Sequence, residues 1–541
     1  MHTITETGLS STTLKRGMAL PAILLAGLLL RILLLFTVEN MLDCDESTVG
    51  VMALDIVESS QIPMFHYANA YNGGAALESY LAAVGFFLFG SSAILLKMTV
   101  LFLWMVTGVF FMDLIQRALS FSSALLAMVL FSLSTLFVLE WSLKVRGGFM
   151  ETVLISTLFL WLFYPPEWLL FRPRFRFHVL GLLGGLGYWM SEMTLLFFVS
   201  TVVATALFKR NSLSKTQALF CLLSGLLIGL IPVLCFNFTH DWINFKQSVI
   251  YEFFSGTKDS SPLSVSDLFR SIQFTGGHAC WLILAGTPIL LYQVLSDKIP
   301  ARRQLGRLVF IQTVIYFTVY WYTGYRALDI APSRVLIAIY PSVAILAGYG
   351  IEAIITHGRV RIFVFMLGGI WCIVSLNGVR EWIHNDRPRE WNSWRGNWSL
   401  AHGEAIVDQL SLENTGVIYT DYWTYSSLLY VIRSHSYQET TPQVMPLLLS
   451  SIPGRRGLSQ SLPHHLRQSN AAFVLVENSP LLQSIENIMD HRRWSYQRAT
   501  LGHHIILYNL PVTEIHSDNG FPLNLIAEAR PPMPEDHDSF N

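Results

Sequence analysis

The sequence predicts an α-helical polytopic membrane protein with about 11 transmembrane helices and a small extracytoplasmic α/β domain at its C-terminal end. Three observations predict this class. Of the 541 residues, 52% are hydrophobic and only 13% are charged, whereas about a quarter are charged in an ordinary soluble domain. Long apolar runs recur up to residue 377, and the composition then becomes polar. The net charge of −1 gives no global attraction to nucleic acid, so we expect no nucleic-acid partner.

Apolar runs of roughly 15 to 25 residues mark the predicted spans, because a helix needs about 20 residues to cross the bilayer core. The sequence contains eleven such runs, at 19–38, 93–116, 120–140, 148–164, 177–190, 194–208, 216–236, 279–296, 308–323, 334–355 and 361–376. The fourth, fifth and sixth are short, and we expect them to be tilted, broken or partly re-entrant. The first lacks a small-residue cleavage site, so we expect an uncleaved anchor.

Loop charge predicts the orientation, since cytoplasmic loops are rich in Lys and Arg. One set of alternate helix ends is basic: Lys15, Arg16, Arg117, Arg172, Arg174, Arg176, Lys209, Arg210, Lys215, Lys298, Arg302, Arg303, Arg307, Arg359 and Arg361. The N-terminus is therefore expected in the cytoplasm. An odd number of spans then places the C-terminal domain on the other side, together with the first loop.

The first outer loop, 39–92, is predicted to contain two helices that lie at the membrane surface. Residues 78–90 are apolar but too short for a span, and treating them as one would reverse every later loop. The first helix has an apolar stripe that begins at Val49 and Met52. The second follows Gly73 and Gly74, which we expect to form a tight turn.

The residues from 378 onward divide into three parts. A polar, Trp-rich linker is predicted over 378–397, an extracytoplasmic α/β domain over 398–515, and a disordered tail over 516–541. Within the domain, "TGVIYTDYW", "AAFVLVEN" and "GHHIILYNL" are typical of strands, and helices are expected near 424–434 and 480–492.

Motifs exclude several kinds of chemistry. Five cysteines are present and none forms a CxxC pair, so a disulfide or zinc framework is not predicted. No Walker, HExxH or nucleophile-elbow signature stands in a suitable context. Polar residues on the outer face remain as the candidates.

The first candidates are Asp45 and Glu46, which follow Asp43 at the start of the first surface helix. One interpretation is helix capping, because acids at a helix N-terminus accept hydrogen bonds from free N–H groups. Capping accounts for one acid but not for the cluster, which shares its loop with Glu78. We therefore assign Asp45 to catalysis and leave both interpretations open for Glu46.

Several segments carry a resemblance to a known family. They are "FHYANAYNGGAALESYLAAVGFFLFGSSAILLKM", "LKVRGGFMETV", "GGLGYWMSEMTL", "SRVLIAIYP" and "GVIYTDYWTYSSLLYVI", in that order over about residues 15–435. Together with the topology, they resemble the glycosyltransferase C superfamily, and most closely the bacterial relatives of protein O-mannosyltransferases and lipid A aminoarabinose transferases. The resemblance implies a bacterial inner-membrane enzyme that moves a sugar from a polyprenyl phosphate carrier to an acceptor at the outer face.

By this resemblance, the acid that opens the first outer loop is the catalytic base, and that position is Asp45. A carboxylate can accept the acceptor's hydroxyl proton while the carrier phosphate leaves already ionised, so no general acid is needed. A single displacement inverts the anomeric centre. Whether Asp45 acts as a base or mainly orients the acceptor stays open.

Donor phosphate needs cationic partners on the outer face. The candidates are Arg146 with Lys144, and Arg334 with Arg326, since guanidinium groups suit phosphate. The alternative is that these side chains snorkel to the interface, or that Arg146 pairs with Glu140 or Glu151. Relatives commonly carry an Arg-Tyr pair in the segment matching "RVLIAIYP", and this chain departs from that pattern.

Four further residues are assigned to substrate binding: Glu78, Tyr71, Glu192 and His240. Glu192 is an acid between two short spans, where a turn that reaches water is an equal explanation. His240 precedes Asp241, and a surface loop explains that pair more often than a metal site. A hard cation held by Asp45, Glu46 and Glu78 stays an open alternative, and no metal is assigned.

Two other classes of function are alternatives to a glycosyltransferase. A lipid or polysaccharide transporter would carry charged or broken helices at mid-membrane, related by a repeat, and neither feature is visible. A non-catalytic envelope-assembly scaffold would tolerate loss of the outer acids. The sugar and the acceptor, whether lipid, glycan or protein, are not determined by these residues.

Overall fold

The fold is mostly helical, as a computed structural model shows. The structure describes residues 11–38, 41–67, 73–170, 172–208, 214–246, 300–323, 332–355, 398–412, 415–420, 422–434, 443–446, 471–476, 479–491, 496–501 and 504–508, with short pieces within 264–269 and 369–380. The chain divides into two compact units. Unit 1 comprises Met1–Glu39, Ser59–Leu88 and Ile94–Pro388, and unit 2 comprises Asn40–Glu58, Phe89–Ala93 and Arg389–Asn541.

Helices make up nearly all the described part of the first 355 residues. They are α1 Ser11–Thr37, α2 Cys44–Ser59, α3 Gly73–Phe89, α4 Ala93–Ala118, α5 Phe121–Ser132, α6 Leu136–Trp141, α7 Met150–Phe163, α8 Glu167–Leu170, α9 Pro173–Met190, α10 Thr194–Phe208, α11 Lys215–Gly229, α12 Ile231–Thr239, α13 Ile243–Lys246, α14 Pro300–Thr323 and α15 Tyr340–Ile355. A 3-10 helix, Pro332–Ile339, precedes α15. The mostly helical class is confirmed, and residues 39–92 contain two helices, α2 and α3. Their position at the outer membrane surface stays a prediction.

Fewer helices than expected have the length and apolarity of a complete span. In the described part of the chain, two helices are long and apolar enough to cross a membrane: Met18–Thr37 within α1, and the whole of α4. A third span results if α11 and α12, which meet at a 44° bend, are counted as one. The count of eleven is therefore not confirmed. The predicted run 279–296 lies outside the described residues, and 361–376 is described only in pieces.

The predicted span 120–140 is broken into α5 and α6, and a buried arginine from another helix hydrogen-bonds to the last residue of α5. Arg31 of α1 is fully buried and donates from Nη1 to the carbonyl oxygen of Ser132 at 2.8 Å and from Nη2 to Ser134 Oγ at 2.8 Å. Its guanidinium lies 3.9 Å from the ring centre of Trp104. The carbonyl oxygen of Ser132, which the end of α5 leaves without a helical partner, is thus satisfied inside the protein.

Helices α9 and α11 approach closely through glycines. A Cβ atom at Gly181 would lie 2.0 Å from the carbonyl oxygen of Leu222, and one at Gly225 would lie 2.1 Å from that of His178. Gly185 and Gly229 repeat the contact one turn further along both helices. Each helix thus presents two glycines four residues apart to the other helix, which is a common arrangement in membrane helix packing.

A five-stranded sheet forms the centre of the C-terminal domain. The strands are β3 Val417–Thr420, β4 Gln443–Pro446, β5 Ala471–Val476, β6 Gln497–Leu501 and β7 His504–Tyr508, in the order β4-β3-β5-β7-β6. The first three are parallel, and β7 runs antiparallel to β5 and β6. Three helices accompany them: α16 Leu400–Leu412, α17 Tyr422–Ser434 and α18 Pro480–His491. The three predicted strands and two predicted helices are confirmed, whereas β4, β6 and α16 were not predicted.

The helix that carries Asp45 is part of the same compact unit as this domain. Strand β1, Met41–Leu42, pairs antiparallel with β2, Trp398–Ser399, so that the chain entering α2 hydrogen-bonds to the chain entering α16. This pairing joins residues more than 350 positions apart, and no local pattern in the sequence predicts it.

Candidate functional site

The start of α2 is fixed by a reciprocal pair of acids. The backbone N–H of Glu46 donates to Asp43 Oδ1 at 3.0 Å, and the backbone N–H of Asp43 donates to Glu46 Oε2 at 3.0 Å. This is a capping box with Asp at the N-cap and Glu three residues later. Both residues are buried, at 5% and 0% exposure. Capping is therefore carried out by Asp43 and Glu46, and neither hydrogen bond involves the carboxylate of Asp45.

Asp45 lies at the second position of the helix, between the two capping acids, and is half-buried. Its assignment to catalysis stays a prediction. Glu46 was left open between capping and catalysis, and the described contacts give it the capping role. Glu46 is fully buried, as are Val49 and Met52 of the apolar stripe on the same helix.

A second cluster of predicted residues forms where α3 meets the loop 142–149. Glu78 is 1% exposed, and its Oε2 accepts a hydrogen bond from the backbone N–H of Gly147 at 2.7 Å. Gly147 and Gly148 have φ of +66° and +78°, in the region that favours glycine. The motif that suggested Glu78 and the motif that suggested Arg146 are thus in direct contact.

Gly73 and Gly74 have a different function from the one expected. Both lie in the first turn of α3 rather than in a tight turn. A Cβ at Gly74 would stand 2.1 Å from the backbone nitrogen of Gly148, and a Cβ at Gly73 would stand 2.3 Å from the carbonyl oxygen of Trp189. These glycines allow close packing of backbone on backbone.

The two cations of the 142–149 loop lie on one aromatic ring. Lys144 Nζ is 5.6 Å from the ring centre of Trp141, and the Arg146 guanidinium carbon is 5.5 Å from the same ring. Lys144 is only 2% exposed, whereas Arg146 is partly exposed. Cation–π contact within about 6 Å stabilises such side chains. The partly exposed guanidinium of Arg146 suits phosphate better than the buried ammonium of Lys144.

Arg31, which is not among the predicted site residues, also reaches this loop. Its Nε donates to Ser142 Oγ at 2.8 Å, two residues before Lys144. The available signal was an arginine inside an otherwise apolar run, since an ionisable residue within a membrane helix has a specific role by default. Glu151 is a second such residue. It is fully buried in the first turn of α7, next to Glu78.

Two further predicted residues, Glu192 and His240, lie at helix ends. Glu192 lies in the turn between α9 and α10, as expected, and is half-buried. His240 is exposed at the end of α12, where its ring stacks on Phe236 at 4.0 Å between centres. Tyr71 and Arg326 lie outside the described residues, and Arg334 is described only as part of the 3-10 helix. In the described part of the chain, no group of three or more His, Cys, Asp or Glu side chains could hold a metal ion.

Comparison with known proteins shows the fold. The structure is similar to that of ArnT from Cupriavidus metallidurans in the apo state, with a TM-score of 0.61 and 12% sequence identity over 92% of this chain and 98% of that chain. It is also similar to ArnT from the same organism bound to undecaprenyl phosphate, with a TM-score of 0.58 and 12% identity over 90% and 97%. No protein-family model matches the sequence, and neither does any curated protein. ArnT is a lipid A aminoarabinose transferase of the glycosyltransferase C fold, so the resemblance seen in the sequence is confirmed at the level of the fold.

Proposed function

We propose that the protein is an inverting glycosyltransferase that moves a sugar from a polyprenyl phosphate carrier to an acceptor at the outer face of the bacterial inner membrane. The observation that carries the proposal is a fold shared over nine-tenths of the chain with an enzyme whose structure holds undecaprenyl phosphate. The apolar helices α1 and α4 suit an enzyme that takes a lipid-linked substrate from the bilayer.

The proposed chemistry is a single displacement. The acceptor hydroxyl transfers its proton to the Asp45 carboxylate while its oxygen attacks the anomeric carbon, and the bond from that carbon to the carrier phosphate breaks. Inversion follows because attack and departure occur on opposite faces of the sugar ring. The phosphate leaves as an anion and needs no protonation.

Arg146 and Lys144 are the proposed partners of that phosphate, with Arg146 as the direct contact. The close packing of Gly74 against Gly148 and the hydrogen bond from Gly147 to Glu78 hold the backbone of the loop in place. A guanidinium on a fixed backbone loses less freedom when it binds a phosphate than one on a mobile loop. Arg334 and Arg326 remain proposed partners without described side-chain contacts.

The direct test replaces Asp45 with Asn in the full-length enzyme and follows sugar transfer from a polyprenyl phosphate donor. Loss of a catalytic base is expected to lower turnover by roughly 100-fold or more. Asp43→Asn is the matched control, because it removes a carboxylate two residues away while Asn is as good an N-cap as Asp. Near wild-type turnover by Asp45→Asn would remove this residue from the mechanism.

A further inference from the structure

The C-terminal domain contacts α2 within the turn that follows Asp45. Ser47 Oγ and Ser427 Oγ lie 3.1 Å apart, and Thr48 Oγ1 and Ser426 Oγ lie 2.7 Å apart. All four residues are at most 8% exposed. Buried hydroxyl groups that pair across two helices favour one register, because a shift would break both hydrogen bonds between the helices. Thr48 Oγ1 would then keep only its contact with the carbonyl oxygen of Cys44 in its own helix, at 2.8 Å.

A second contact lies at the other end of α2. Arg433, in the last turn of α17, contacts Asp55 Oδ1 from Nη1 at 2.6 Å and Glu58 Oε2 from Nη2 at 2.7 Å. The Arg433 and Asp55 side chains are 21% and 15% exposed, so this pair is better shielded from water than an ordinary surface pair. Burial alone would lower the pKa of Arg433, but the hydrogen bonds and charges of Glu58 and Asp55 outweigh it and raise the pKa.

These contacts tie α2 to α17 at both ends, and the β1–β2 pairing ties the residues just before α2 to the same domain. We infer that the C-terminal domain positions the helix that carries Asp45, with Arg433 as the main positioning residue. The inference rests on the proposed function, because it assigns the domain a part in that reaction. It gives Asp55 and Glu58 a purpose that the sequence analysis did not assign.

A positioning role predicts an effect on turnover without an effect on donor affinity. Arg433→Gln is expected to lower kcat between roughly 10- and 100-fold while the KM for the polyprenyl phosphate donor stays within about twofold, since small misplacement of a catalytic group slows the chemical step. Arg433→Lys keeps a positive charge but lacks the guanidinium fork that reaches two carboxylates. Its kcat should lie between that of the wild type and that of Arg433→Gln.

Arg498→Gln is the matched control. Arg498 Nε lies 3.1 Å from Glu486 Oε1, so the control removes another Arg–Glu ion pair of the same domain, between β6 and α18 rather than on α2. It should keep wild-type kcat. Equal loss of kcat in Arg433→Gln and Arg498→Gln would show a general effect on the domain and overturn the inference.

An engineered disulfide gives a second, independent measurement if Arg433→Gln folds poorly. The Ser47 and Ser427 side chains are close enough for Ser47→Cys with Ser427→Cys to form a disulfide under oxidation. The oxidised double variant should keep wild-type kcat, and the same bond should restore kcat in the Arg433→Gln background. The single cysteine variants control for exchange with native Cys44.

The possible failures are distinguishable. Wild-type kcat in Arg433→Gln together with an inactive Asp45→Asn would remove the positioning role and leave the proposed function standing. Loss of transfer on oxidation, reversed by a reductant, would show that α2 must move relative to α17 and would also overturn the inference. An active Asp45→Asn would instead reject the proposed catalytic residue.

Discussion

Asp43 and Glu46 cap the start of α2 by exchanging hydrogen bonds, each accepting from the other's backbone N–H at 3.0 Å. Asp45, the residue between them that we propose as the base, takes no part in that exchange. The acids within the four residues 43–46 thus have two roles. Asp43 and Glu46 cap the helix, and Asp45 is the proposed catalytic residue.

The capping role of Glu46 predicts that replacement by Gln and replacement by Ala have different effects on stability. Glu46→Gln should keep transfer activity and stability, because Gln also serves at this position of a capping box. Glu46→Ala should lower the free energy of unfolding by about 1 kcal/mol. Thermal melting in detergent and the transfer assay check both. If Glu46→Gln melted normally but lost transfer, the carboxylate itself would be catalytic.

Close packing at the start of α3 predicts opposite effects for two glycines of one helix. Gly74→Ala places a methyl group against the backbone of Gly148 and should destabilise by about 1 to 3 kcal/mol. Gly85→Ala meets nothing within 4 Å and should be neutral or stabilising by up to about 1 kcal/mol. Melting temperatures of the two variants compare them directly, and equal shifts would contradict the packing argument.

The hydrogen bonds of Arg31 predict that lysine cannot replace it. Arg31→Lys keeps the charge but cannot reach Ser132, Ser134 and Ser142 together. The free energy of unfolding should fall by about 3 kcal/mol or more, because each hydrogen bond to a charged group contributes roughly 1.5 to 3 kcal/mol. Donor KM should also rise, since Ser142 precedes Lys144. Arg172→Lys, at an exposed position, should change neither quantity.

The proposed orientation predicts which positions react with an impermeant thiol reagent. In a background without the five native cysteines, Leu412→Cys, at 84% exposure in the C-terminal domain, should be labelled in intact cells. Lys215→Cys, exposed at the start of α11, should be labelled only after permeabilisation. The reverse pattern would place the C-terminal domain in the cytoplasm and remove the proposed site from the outer face.

Much of the fold could be predicted because hydropathy and strand patterns are local. The apolar run 93–116 corresponds to α4, and "AAFVLVEN" contains β5. The break between α5 and α6 could not be predicted in this way, because its cause is Arg31, about 100 residues away in the sequence. Capping at the start of α2 could be predicted, because an acid is followed three residues later by glutamate. Which of the neighbouring acids exchange the hydrogen bonds, Asp43 and Glu46, is decided by the structure.

The sequence by itself determined the helical membrane class, the acids at the start of α2 and the strands of the C-terminal domain, since each depends on residues within one or two turns of each other. The tertiary structure decided which acids cap α2, why Gly73 and Gly74 are glycines and which domain holds α2. These depend on contacts such as Arg433 with Asp55, which lie 378 positions apart. Only folding brings such residues within hydrogen-bonding distance, so no pattern along the chain records their pairing.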